Sequence, residues 1–446
     1  RAKAGAKKAV VTAEGIEGYR QILDGFGPTE FLGYEGEASE ARVVAIVPVD
    51  GGDSDDDGGG RPRFEVFLDR TPFYAEGGGQ VGDVGEIRTS TGLLEVIDTT
   101  PALPGLHRHL VELAEGDVQA GQDAYASIDH HRRGAIRRNH TGTHLLHATL
   151  REILGPHVHQ QGSYVGPDRL RFDINHHQPV TPEELDRVEM IVNERVLANE
   201  AVRSYETSMD DAKALGALMF FGDKYGDTVR VVEAGSHSLE LCGGTHVHAL
   251  GTIGPLKIVS EGSIGSNMRR VEAVTGTASL ELVANDERTL ERAAAMLRTK
   301  PDDIVDAIDR LLAREKELRD QLKVLQREAA RGEARALVAQ AVNGYVVARR
   351  DDLAPDDLRE LAIAVRNEPE IRAVVLVGTP DGQRVAFVSA VEKGTSLVAG
   401  ELIADAARIT GGGGNAKAAD IGVAGGKHPS KIDDAIAAVR AKLGID

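Results

Sequence analysis

The chain has 446 residues, 41% of them hydrophobic, with a formal net charge of −18 and a single cysteine. That length suggests about three domains of ~100–200 residues each. One cysteine excludes an intramolecular disulfide framework and points to a reducing cytoplasmic compartment; no membrane span or secretory signal is expected, and the acidity argues against non-specific coating of nucleic acid.

Residues 1–25, opening with Arg-Ala-Lys-Ala-Gly-Ala-Lys-Lys, read as a linker and the remnant of an upstream helical domain. Residues 26–112 read as a small β-barrel, with short β-rich runs at 41–48 and 64–68 between Gly/Asp turns. Much of the acidity sits in the run at 50–60, Asp-Gly-Gly-Asp-Ser-Asp-Asp-Asp-Gly-Gly-Gly, which reads as a solvated hairpin tip. The segment Thr-Pro-Phe-Tyr-Ala-Glu-Gly-Gly-Gly-Gln at 71–80 either turns tightly against a neighbour or only makes a corner.

Residues 113–278 read as a mixed unit of sheet and helices. Asp129 or a neighbour caps a helix that ends at Gly155-Pro156, and strands follow at Gln160–Val165 and Leu170–Asn175. Thr181-Pro182-Glu183-Glu184 is a capping box opening a helix whose apolar stripe is Leu185, Val188, Val192 and Val196. Further strands are expected at 228–233 and 253–261. Residues 279–344 read as a helical hairpin or short coiled coil, with Leu311, Leu318, Leu322 and Leu325 needing a partner. Residues 345–446 form a third globular unit, with strands at 373–378 and 384–391. Its glycine run Gly411, Gly412, Gly413, Gly414, with Lys417 and Lys427 nearby, is either a flexible turn or a cradle of backbone N–H groups for phosphate.

Two donor pairs stand out. His140 and His144 are four residues apart, one turn of a helix, so their imidazoles lie on one face. Cys242 and His246 repeat the spacing on a Gly-Gly turn. Three histidines and a thiolate are a donor set for tetrahedral zinc. Thr141 follows His140, so the glutamate of a His-Glu-x-x-His metalloprotease is missing. Arg132, Arg133, Arg137 and Arg138 precede the first pair, either as a solvated helix face or as a phosphate rail.

The segment at 71–80, Arg138-Asn-His-Thr-Gly-Thr-His-Leu-Leu-His147, Phe221-Gly-Asp-Lys-Tyr-Gly226, Leu241-Cys-Gly-Gly-Thr-His-Val247 and Arg269-Arg-Val-Glu-Ala-Val-Thr-Gly276 together resemble alanyl-tRNA synthetase. The resemblance runs over essentially the whole chain and corresponds to the C-terminal half of that family. It implies a multidomain α/β (α+β) architecture: a barrel, a zinc-containing editing domain, a helical dimerisation segment and a C-terminal tRNA-binding domain. The aminoacylation core, with its ATP and Mg, would lie upstream.

A pocket for alanine cannot exclude glycine and only weakly rejects serine, since such differences are worth about 1–3 kcal/mol. The family answers with a second site that hydrolyses seryl- and glycyl-tRNA(Ala). By the resemblance, one zinc per chain would be held by His140, His144, Cys242 and His246, Gln160 matches a glutamine implicated in editing, and Thr143 lines the amino-acid pocket. Arg137, Arg138, the glycine run, Lys417 and Lys427 would contact tRNA(Ala), and the helical segment would pair two chains. Gly142, and Gln161 where a lysine is common, depart from the family's usual form. Four protein donors fill a tetrahedral shell, whereas catalytic zinc keeps a position open, so the ion either expands its coordination or only organises the pocket.

Two other readings compete. A tRNA-binding and dimerising module with structural zinc would leave the mischarged ester intact. Asp129-His130-His131 spells the signature of the DHH phosphoesterases, but it runs straight into the histidine helix, and Asn415 follows the glycine run where those enzymes have histidine.

Overall fold

The computed structural model describes residues 13–49, 61–219 and 226–445. The acidic run at 50–60, residues 1–12 and residues 221–225 of the Phe221–Gly226 motif lie outside the described residues. The chain divides into two compact units, Arg1–Thr289 and Leu290–Asp446.

In the first unit, helix α1 (Ala13–Phe26) lays Tyr19 against Phe67 and Leu106. The short strands β1 (Glu30–Phe31) and β4 (Arg70–Thr71) pair in parallel. Strands β2 (Ala38–Pro48), β3 (Arg63–Leu68), β5 (Gly85–Thr89), β6 (Gly92–Leu103), β7 (Leu106–Gly116) and β8 (Asp123–Ile128) close a barrel in the order β2-β3-β7-β6-β5-β8. Alternate residues point inward, so Val43, Val66, Ile87, Leu94, Val96, Val111 and Ala126 fill its core. The barrel therefore extends past residue 112. Its closing strand, β8, was hidden in sequence because Asp123-Ala-Tyr-Ala-Ser-Ile buries only small or single apolar groups.

Helix α2 (His130–Leu154) follows β8 directly; the Asp129 carboxylate accepts from the Arg132 N–H, and Gly155 ends the helix. Helix α3 (Pro182–Ala198) opens with the complete Thr181/Glu184 capping box. Both pack on a four-stranded antiparallel sheet ordered β14 (Leu256–Gly265), β15 (Met268–Thr275), β10 (Leu170–Asn175), β9 (Gln160–Val165). Leu145, Leu146, Leu150, Phe172, Val188, Val192 and Val271 are fully buried between these layers. A second antiparallel sheet joins β11 (Val202–Ser208), β12 (Thr228–Ala234) and β13 (Ser238–Leu241), with the short helix α4 (Met209–Ala214) beside it. Strand 253–261 of the sequence reading begins later, at Leu256, because Leu250–Ile253 is a 3-10 turn.

Helix α5 (Thr277–Leu297) spans the division between the units. In the second unit, α6 (Ile304–Val338) leaves Leu311, Leu318, Leu322 and Leu325 exposed, while Ala334 and Leu337 near its end are buried in a core with α7 (Pro355–Arg366). The sheet runs β16 (Tyr345–Arg349), β17 (Ala373–Gly378), β18 (Val385–Val391), β20 (Ile421–Gly426), β19 (Gly413–Gly414). Helix α7 covers one face, and α8 (Ala399–Ile409) with α9 (Ile432–Leu443) covers the other. That is why Ala-Val-Val-Leu-Val-Gly of β17 is apolar without alternation: every residue is buried.

Candidate metal centre and pocket

Arg133 is the anchor of the site. The sequence reading placed it on a solvated face or phosphate rail, but it is fully buried. Its guanidinium binds the Asp83 carboxylate and donates to the carbonyls of Gly33 and Pro72, both at 2.9 Å. A buried charge needs such complete pairing. The result clamps α2 to the segment around 71–83, so that segment is more than a corner: it delivers Gln80, itself fully buried, to the histidines.

The four side chains named from the sequence come together. The ligand atoms of His140, His144, Cys242 and His246 all lie within 4.8 Å of one another. Cys242 Sγ is 3.4 Å from His140 Nε2 and 3.3 Å from His246 Nε2. A tetrahedral zinc shell of nitrogen and sulfur has edges of roughly 3.3–3.6 Å, so these spacings fit.

The surrounding groups orient each ring the same way. His140 Nδ1 meets Gln80 Oε1 at 2.8 Å, and an amide oxygen can only accept, so that nitrogen carries the proton and Nε2 presents its lone pair to the site. His144 Nδ1 is 2.7 Å from Glu240 Oε2. Thr141 Oγ donates to the Arg137 carbonyl at 3.0 Å, so it accepts from His246 Nδ1 at 3.2 Å. Three imidazoles thus each engage Nδ1 with an outer partner, leaving Nε2 inward, the arrangement by which outer groups set histidine ligands. Glu240 also reaches His147 Nδ1 at 2.8 Å.

The Gly-Gly turn is braced as well. Arg230 Nη1 donates to the carbonyls of Cys242 and Gly244 at 2.8 and 2.9 Å, and its guanidinium lies 4.0 Å from the centre of the Tyr34 ring. Gly244 is obligatory, since a Cβ there would fall 2.0 Å from His140 Cε1.

The electrostatics call for a cation. Burial raises the Cys242 thiol, but the facing His140 and His246 rings outweigh it and hold the pKa well below the ordinary range. Burial also raises Glu240, yet His144 above all keeps its carboxyl well below the usual range. Burial lowers His144, and Glu240 reverses this, pushing it up to about 10. His246 is pushed down to about 3 by burial and then by His140. A thiolate and a carboxylate are therefore gathered with imidazoles in a desolvated place, which suits a metal ion that takes nitrogen and sulfur.

His140, His144 and Cys242 form part of the wall of a cavity of about 600 Å³, lined also by Thr143, Gln160, Gln161, Ser163 and Gly77, Gly78 and Gly79. Thr143 Oγ donates to the Asn139 carbonyl at 2.8 Å, which leaves that oxygen able to accept. Gln160 Nε2 donates to Ser163 Oγ at 3.2 Å. Sequence reading missed Gln80, Glu240 and His147. His147 sits seven residues after His140 on the same helix face, and Glu240 lies two residues before Cys242 at the strand period, so weak signals existed.

Other expected residues fall elsewhere. Arg137 and Arg138 do not line this cavity; Arg137 pairs with Glu37 at 2.9 Å. Asp129 caps α2, and His130 and His131 are exposed there, so no metal cluster of the phosphoesterase kind includes them among the described residues. In the second unit Gly411, Gly412 and Gly414 of the glycine run are required by backbone conformation and packing, whereas Gly413 faces open space. Gly411 has φ +72°, and a Cβ on Gly412 would lie 1.7 Å from the Gly425 carbonyl oxygen. The N–H groups of Gly411 and Gly412 donate to the carbonyls of Arg408 and Ala407, which corrects the expectation of an open amide cradle at those two residues. Lys417 and Lys427 are exposed beside it.

Residues 1–132 match the family described as tRNA synthetases class II (A), residues 229–272 the threonyl and alanyl tRNA synthetase second additional domain, and residues 342–444 the DHHA1 domain. The alanine–tRNA ligase of Acetivibrio thermocellus is 42% identical over 93% of this chain and 47% of its own length. Nearly the whole chain is thus similar to about half of an alanine–tRNA ligase. The alanine–tRNA ligase of Mesorhizobium japonicum is 40% identical over 94% of this chain and 49% of its own length. The chain thus spans about half the length of the alanyl-tRNA synthetases it matches. The solved C-Ala domain from Aquifex aeolicus alanyl-tRNA synthetase is 27% identical over 22% of this chain and 89% of its own, at a TM-score of 0.21. No helix among the described residues is long and apolar enough to cross a membrane.

Proposed function

We propose that this chain is the editing and tRNA-binding part of an alanyl-tRNA synthetase, and that it hydrolyses seryl- and glycyl-tRNA(Ala) while sparing alanyl-tRNA(Ala). The observation that carries this reading is that three of the four metal-type donors, His140, His144 and Cys242, line a single cavity with Thr143 and Gln160. Its home would be the cytoplasm, with tRNA(Ala) as partner.

His140, His144, Cys242 and His246 would hold one zinc ion, oriented by Gln80, Glu240 and Thr141. Bound zinc supplies Lewis acidity. The rest is the work of side chains. The aminoacyl group enters beside Thr143, whose oxygen accepts a hydrogen bond from a serine hydroxyl that alanine does not possess. Glycine is admitted by its small size. The Gln160 side chain positions water against the ester carbonyl; attack breaks the acyl–ribose bond, and the proton passes to the ribose oxygen. An aminoacyl ester is already labile, so positioning supplies much of the rate. Lys417 and Lys427 contact phosphates of the tRNA.

The test follows deacylation of purified seryl-, glycyl- and alanyl-tRNA(Ala) by the wild-type chain, Cys242→Ala, Gln160→His and Thr143→Val. The wild type should clear the first two esters, and Cys242→Ala and Gln160→His should lose that activity. Thr143→Val should slow seryl clearance by roughly ten- to a hundredfold, the cost of about 1–3 kcal/mol for leaving the serine hydroxyl without its partner, with less effect on the glycyl ester. A wild type no faster than buffer would make the chain a binding module.

A further inference from the structure

A second group of donors lies outside the pocket. His157 follows the end of α2, and His176 and His177 follow β10; their nitrogens lie within 4.8 Å of one another. His157 Nε2 is 3.0 Å from His176 Nδ1, and the two rings stack with centroids 5.2 Å apart. His177 completes the triangle, its ring centre 5.8 Å from that of His157 and 5.1 Å from that of His176.

The backbone holds these rings in place. The Asn175 side chain accepts from the His159 N–H at 2.6 Å and donates to the His157 carbonyl at 2.7 Å, clasping the two loops. The His176 N–H donates to the Asn267 carbonyl at 3.0 Å. Gly155, at φ +115°, lets the chain turn so that His157 faces its partners.

We propose that His157, His176 and His177 form a second metal site that takes one borderline divalent ion of the zinc, nickel or copper kind, with solvent completing its shell. Three nitrogen donors without carboxylates suit such ions rather than magnesium or calcium. The ion would tie the segment leading into β9, the strand on which Gln160 stands, to the end of β10. This assignment does not depend on the hydrolytic reading or on the pocket's own metal.

Equilibrium dialysis against Zn²⁺, with bound metal measured by elemental analysis, tests it. The wild type should bind one more zinc ion per chain than His157→Ala/His177→Ala, and the two proteins should melt alike without added metal. His177→Gln alone, at an exposed turn, should also lose that ion. Equal stoichiometry in the wild type and both variants overturns the proposal, as does displacement of the additional ion by Mg²⁺.

Discussion

At the scale of single residues, the metal centre depends on where protons sit. His140, His144 and His246 each direct Nδ1 to an outer group, and the choice of Nε2 as ligand follows from those contacts. Gln80 is the most exacting of these partners, because its Oε1 also accepts from the Thr245 N–H at 2.9 Å and so joins the helix to the Gly-Gly turn. Gln80→Leu keeps the volume and removes the acceptor. Two buried donors then lack a partner, at roughly 1–3 kcal/mol each, and zinc affinity should fall about 10–100-fold. Competition with a chromophoric chelator measures this. Unchanged affinity would show that Gln80 does not set the His140 ring. Cys242→Ala, by removing the thiolate, should abolish stoichiometric binding at this centre.

At the scale of elements, the barrel carries a pH-sensitive contact that the site does not use. His109, on β7, is fully buried; its Nδ1 donates to the Val66 carbonyl at 2.9 Å, and its Nε2 lies 2.9 Å from Thr71 Oγ. Burial, more than any other cause, pushes its pKa down to about 3 from an ordinary value of 6.5. The folded barrel therefore binds fewer protons than the unfolded chain between those two values. Its contribution to stability is complete above about pH 6.5 and declines as pH falls toward 3, by an amount on the order of a few kcal/mol. His109→Gln cannot take up that proton. Denaturant titrations from pH 7 to 4 should show a smaller loss for the variant than for the wild type. Parallel curves would mean that His109 does not govern the acid limb.

At the scale of the whole molecule, α6 leaves an apolar row without cover. Leu311, Leu318, Leu322 and Leu325 are 49–61% exposed, whereas Ala334 and Leu337 on the same helix are buried. The sequence reading required a partner for that row, and exposed leucines at such spacing favour association with a second helix. Light scattering across a concentration series should show a dimer, and Leu318→Glu/Leu325→Glu should shift it toward monomer. A wild type that is monomeric at every concentration rules the pairing out for this chain. Deacylation measured on the same monomeric variant would separate dimerisation from the chemistry of the pocket.

Much of this protein was legible in its sequence, for local reasons. The capping box at Thr181, the helix from Asp129 to Gly155 and strands β9 and β10 follow from patterns that act over a few residues. The two donor pairs were visible because one helical turn and one tight turn each fix a spacing of four. Tertiary structure decided what spacing cannot express. Arg133 looked like its charged neighbours, and only the approach of Asp83 and two carbonyls made it a buried anchor. Gln80 lies 60 positions from His140, and the glycines before it announced a turn without naming what the turn delivers. The glycine run at 411–414 suggested bound phosphate, yet its smallness is needed where β20 passes 1.7 Å from a would-be side chain. Periodicity reports which face of an element is buried, whereas the partner a buried polar group must find is chosen only when distant segments close on it.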